Sequence, residues 1–64
     1  MVMRLRWRLE GAHVWVKVYT APTADGTFAQ AGELRFREDE WPAVLAALTG
    51  ETPEAVQCIN ERGE

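Results

Sequence analysis

The sequence predicts a two-layer α+β domain: an antiparallel sheet of three or four strands with one helix packed on one face, ordered β-β-β-α with a short fourth strand at the end. Three observations predict it. Apolar and basic residues alternate one for one from Met3 to Leu9, and the alternation resumes from Val14 to Val18. Trp41, Val44, Leu45 and Leu48 recur at i, i+3, i+4 and i+7, one stripe of a helix. A chain of 64 residues has room for one domain, residues 1–64, around one core.

The first two strands form a hairpin. Met3, Leu5, Trp7 and Leu9 share one parity, and Arg4, Arg6, Arg8 and Glu10 the other. If Gly11 and Ala12 make a two-residue turn, with Gly11 at the positive φ of a type II′ turn, the register follows. Leu9 then faces Val14, Trp7 faces Val16 and Leu5 faces Val18, while Glu10 meets His13, Arg8 meets Trp15, Arg6 meets Lys17 and Arg4 meets Tyr19. Both strands sort into an apolar face and a basic, aromatic face.

Pro22, Asp25 and Gly26 mark a loop. A third strand is expected from about Phe28 to Arg37. Its pattern slips, because Ala29 and Ala31 suit burial on one parity and Leu34 and Phe36 on the other; Gly32 sits at the slip and suggests a β-bulge there, and a plain strand burying Phe28, Gln30, Gly32, Leu34 and Phe36 is the alternative. The helix follows in "EDEWPAVLAALTG", with Asp39 as N-cap, acids at its positive end, Pro42 in the first turn and Gly50 as the C′ stop. "VQCINER" is read as a fourth strand, with a short helix starting at "TPEA" as the other reading of residues 53–62. The expected core is Trp7, Val16, Leu34, Phe36, Trp41, Leu45 and Leu48.

The charge is uneven along the chain. Residues 1–37 hold six bases and three acids, a net of +3, and residues 38–64 hold one base, Arg62, and seven acids, a net of −6. An overall charge of −3 hides a basic open sheet face and an acidic helical side. The candidate binding residues are those of the basic face: Arg4, Arg6, Arg8, Trp15, Lys17, Tyr19, Arg35 and Arg37. Arginines and aromatic rings on an uncovered sheet suit a protein partner or a second copy of the chain, where Trp and Arg concentrate in hot spots. They also suit single-stranded nucleic acid or a nucleotide, through phosphate contacts and base stacking. Charged side chains stacking on rings across strands would equally serve as a plain solvated surface. The acids offer a third binding reading, an imitation of the DNA phosphate backbone.

Catalysis, metal and cofactor chemistry find few residues. One Cys and one His fall short of a zinc site, and there is no Ser and no phosphate-cradling Gly loop. His13 is expected to ion-pair with Glu10, Cys58 to be a buried, inert thiol, and "EDE" to serve the helix N-terminus and not a cation. Neither a membrane span nor a signal peptide is read, so the expectation is a soluble cytoplasmic protein without cofactor. With no internal disulfide or metal, a chain this short is expected to gain stability as a homodimer.

The pattern "MRLRWRLEGAHVWVKVYTAP…GTFAQAGELRFREDEWPAVLAAL" resembles a group of short, uncharacterised proteins of phages and GC-rich bacterial genomes. In that group a basic β-hairpin precedes "GEL.FR..EW" and a helix; the resemblance spans about residues 3–48 and carries no catalytic motif. It implies a phage-type setting in the host cytoplasm, where small folded proteins act by binding host machinery or sequestering a signal. The expected function is therefore non-catalytic binding that modulates or inhibits a host protein.

Overall fold

A computed structural model describes residues 1–61. Arg62 and Glu64, both counted in the charge balance above, lie outside the described residues. The elements are β1 (Val2–Glu10), β2 (His13–Ala21), β3 (Ala29–Arg37), a 3₁₀ turn (Glu38–Glu40), α1 (Trp41–Thr49) and β4 (Ala55–Asn60).

The hairpin has the register that its alternation dictates, from Glu10 opposite His13 to Val2 opposite Ala21. Gly11 supplies the positive φ, at 64°. β3 joins the other edge of β2, and β4 joins β1, giving the order β3-β2-β1-β4. The sheet is mixed, not antiparallel, because β4 runs parallel to β1. The reason is the crossover: α1 carries the chain from the hairpin end back to the start of β1, so the last strand sets off in the direction of the first.

The bulge falls where the pattern slips. Val18 pairs with Gly32 and Tyr19 with Gln30, leaving Ala31 as the extra residue. On the Arg37 side of it, Gly32, Leu34 and Phe36 face the helix. Beyond it the parity reverses, and Phe28, expected inside the strand, precedes β3 and falls on the face opposite the helix.

Met3, Leu5, Val14, Val16 and Val18 form the buried core, with Leu5, Val14 and Val16 wholly buried. Trp7, Phe36, Trp41, Leu45, Leu48 and Val56 pack against it and are half-buried. Trp41 joins helix to sheet: its ring stacks on Phe36 at 5.5 Å between centroids and tilts against Trp7 at 6.2 Å. Leu34 does not join the expected core. It remains 38% exposed because a single helix of nine residues cannot cover the whole apolar face down to edge strand β3. Cys58 is exposed for the corresponding reason on the other edge strand, β4.

Two helix signals resolve differently from expectation. Asp39 is not the N-cap: it sits inside the 3₁₀ turn and pairs with Arg37, while Glu40 occupies the N-cap position of α1 without a side-chain cap bond and turns its carboxylate back to accept the Arg37 backbone N–H at 3.2 Å, closing the 3₁₀ turn. Gly50 does end the helix but keeps a right-handed conformation at φ −76°; the left-handed residue is Thr52 at φ 63°. The helix also carries no charge between Trp41 and Thr49. The expected acidic helical side is thus two clusters, Glu38–Glu40 before α1 and Glu51 and Glu54 after it, separated by about 13.5 Å of neutral helix.

Candidate functional site on the outer sheet face

Strand alternation sets the face away from α1 as a grid, in rows that follow from the pairings. Arg8, Trp15 and Arg35 form one row across β1, β2 and β3. Arg6, Lys17 and Glu33 form the next, extended by Ile59 of β4, and Arg4, Tyr19 and Gln30 the third, extended by Gln57. All eight candidate residues lie on this face. Strands lie about 4.8 Å apart and rows about 6.7 Å apart, so the side chains of neighbouring positions reach one another.

Three groups of cations can be distinguished by what they touch. Arg8 and Arg35 approach Trp15 from the strands on either side, with guanidinium carbons 5.6 Å and 5.0 Å from the ring centroid. Such contacts contribute about 0.5–1 kcal/mol at exposed sites. They hold the half-buried indole between two cations. Arg8 is also drawn to carboxylates, Glu10 at 3.2 Å and Glu61 at 3.7 Å.

Arg4 is tied down more firmly. Its Nε donates to Gln57 Oε1 at 3.1 Å, and its guanidinium lies 3.9 Å above the Phe28 ring. The bulge at Ala31 is what makes that contact possible, since without it Phe28 would face the helix. Val2 and Ala21 are buried at this end of the outer face, apart from the core cluster.

Arg6 and Lys17 form the third group and, like Arg35, have no ion pair to a carboxylate among the described residues. Arg6 leans towards Tyr19, 5.9 Å from its ring centroid, and stands directly opposite Lys17. Like charges directly opposite each other destabilise a sheet, and Glu33, next to Lys17 in the row, only partly offsets the cost. Arg37 belongs to the face by register but not by contact, because its Nε pairs with Asp39 at 3.4 Å and Glu40 at 3.6 Å beside the helix.

The expected His13–Glu10 pair does not form among the described residues; Glu10 turns to Arg8, whose guanidinium is longer and bears a permanent charge. A shallow concavity at the hairpin end is lined by Ala12, Arg37, Glu38 and Asp39. Among the described residues no three His, Cys, Asp or Glu side chains are grouped to hold a metal ion. No helix among them is long and apolar enough to cross a membrane.

Sequence reasoning missed Phe28, Gln57, Ile59 and Glu61 as members of this face. The slip at Gly32 was the available signal for Phe28. Nothing local marks the β4 residues, which reach the face only through a parallel pairing more than fifty positions away. Comparison with protein-family models, with curated proteins and with solved structures gave no match.

Proposed function

We propose that the chain is a non-catalytic binding protein that docks a partner protein on its outer sheet face. The observation that supports this reading is Trp15 held between Arg8 and Arg35, next to Arg6 and Lys17, which form no ion pair among the described residues. An ordered indole amid guanidinium groups is the make-up of a protein-binding hot spot. It fits base stacking less well, since Trp15 meets an arginine from either flanking strand and Arg8 is engaged by two carboxylates. Acids split between the two ends of a neutral helix likewise fit a phosphate-backbone imitation poorly. The resemblance to short phage proteins sets the reading in a host cytoplasm, with modulation or inhibition of a host protein as the outcome.

The test replaces Arg6 and Arg35 with Gln and Trp15 with Ser in one variant. All three face away from the core, so the far-UV circular dichroism spectrum should be unchanged. The expected result is that wild type retains a host protein from lysate, that the triple variant loses it, and that Trp15→Ser alone accounts for most of the loss. Titration with single-stranded oligonucleotides and free nucleotides should be flat at physiological salt. Salt-dependent oligonucleotide affinity that weakens in the triple variant would replace the protein reading with a nucleic-acid one.

A further inference from the structure

We infer that the outer edge of β4 is a self-association surface, on which two copies of the chain pair β4 against β4 in antiparallel fashion to make one continuous eight-stranded sheet. The strand order leaves two edges, and they are built differently. β3 carries Glu33, Arg35 and Arg37 and is bulged at Ala31, and charge and bulges are the two devices that keep an edge from pairing. β4 reads "AVQCIN" and has neither: it contains no charged residue and no proline, its pairing with β1 has no register shift, and it exposes Cys58 and Ile59. An unprotected edge is a template for another strand.

The occupant is a second copy because β4 is the only neutral, unbulged edge among the described strands. A two-fold axis normal to the sheet sets this strand against itself with no like charges opposed, since Glu54 and Glu61 lie outside it. Residues directly opposite must also share a face. Val56 and Cys58 lie on the helix side with their partners Met3 and Leu5, so the registers with the greatest overlap centre on Gln57 or on Cys58. Either one brings the two Cys58 side chains to the same side of the sheet, directly opposite or one diagonal step apart, at about 4.5–8 Å.

An edge of six residues buries less than the roughly 1,200 Å² of a standard interface, so the dimer is weak and depends on concentration. The same axis turns both outer faces to one side, making the dimer bivalent for whatever those faces bind. The inference does not depend on the identity of that partner.

Cys58 is the single cysteine, and it serves as the probe. A bis-maleimide with a spacer of roughly 8 Å, matched to the diagonal distance, should yield a covalent dimer whose fraction rises between about 10 μM and about 1 mM chain. Sedimentation over the same range should show a rising weight-average mass in wild type. That rise should be lost in Cys58→Asp, which sets carboxylates on the edge, and in Ile59→Lys, which charges the other face of the same edge and covers the case in which Cys58→Asp unfolds. A cysteine moved to the β3 edge, in Cys58→Ser with Glu33→Cys, should cross-link only at background. A wild type that stays monomeric at about 1 mM, a dimer untouched by both edge charges, or one that cross-links from position 33 as well as from Cys58 would overturn the assignment.

Discussion

Where the stability resides can be tested by cutting the same leucine side chain from two layers. Leu5 is wholly buried on β1, with Val18 on one side and Cys58 on the other, whereas Leu45 is half-buried on a helix that has no fully buried residue. Truncating a fully buried leucine costs about 3–5 kcal/mol, the transfer of its methyl groups plus the cavity left behind. Leu45 has only its buried part to lose and an open side into which neighbours can relax, so about 1–2.5 kcal/mol is expected. Domains carry about 0.05–0.15 kcal/mol of stability per residue, or roughly 3–10 kcal/mol at this length. Leu5→Ala should therefore remove most of the stability, and Leu45→Ala should lower the melting temperature by about 10 °C. Urea titration followed by fluorescence of Trp7 and Trp41 reads both, at one fixed low chain concentration because self-association raises apparent stability. If Leu45→Ala costs as much as Leu5→Ala at equal urea dependence, the core does not lie in the β1–β2 ladder and the layer argument fails.

Three further predictions use the same titration. Gly11→Ala should cost about 1–2 kcal/mol, because a Cβ at φ 64° meets the strain of the left-handed region although no atom stands in its space. Thr52→Gly should stabilise by up to about 1 kcal/mol, since a β-branched residue at φ 63° has the same strain to release; a loss would show that the Thr52 side chain contributes more than its backbone costs. Phe28→Ala should cost about 1–2 kcal/mol, and Phe28→Leu should recover the packing part but not the attraction between the ring and Arg4. Equal losses in both would mean that the aromatic face matters and the bulk does not.

How much was legible depends on how local each signal is. The hairpin was, because its parity repeats along nine-residue strands and one glycine at the turn fixes the register. The bulge was, because a bulge shifts parity and parity can be read in a sequence. The direction of β4 was not: six residues without alternating polarity do not say which neighbour they pair with, and a parallel partner is set only by the path of the crossover. Nor was the exposure of Leu34 and Cys58, which depends on how far one short helix reaches across four strands. Helix capping misled because "EDE" forms a 3₁₀ turn ahead of α1, so the N-cap position falls to Glu40, whose carboxylate turns back to the Arg37 N–H and leaves α1 without a side-chain cap.

The outer face shows the same division. Its membership could be read from parity, but which of its cations are engaged could not, because the engaging groups Phe28, Gln57 and Glu61 come from a parity shift and a distant strand. That difference has functional weight. Arg4 and Arg8 are fixed by bonds within the chain and can hold a surface in shape, but their charges are already partly answered. Arg6 and Lys17 oppose each other, and Glu33 beside Lys17 answers that repulsion only in part, so a partner's anionic group placed there would relieve the remainder that the free protein bears. Attraction to such a group from a distance would mainly speed encounter, while Trp15, already held between two guanidinium groups and so with little freedom to lose on docking, would mainly slow dissociation.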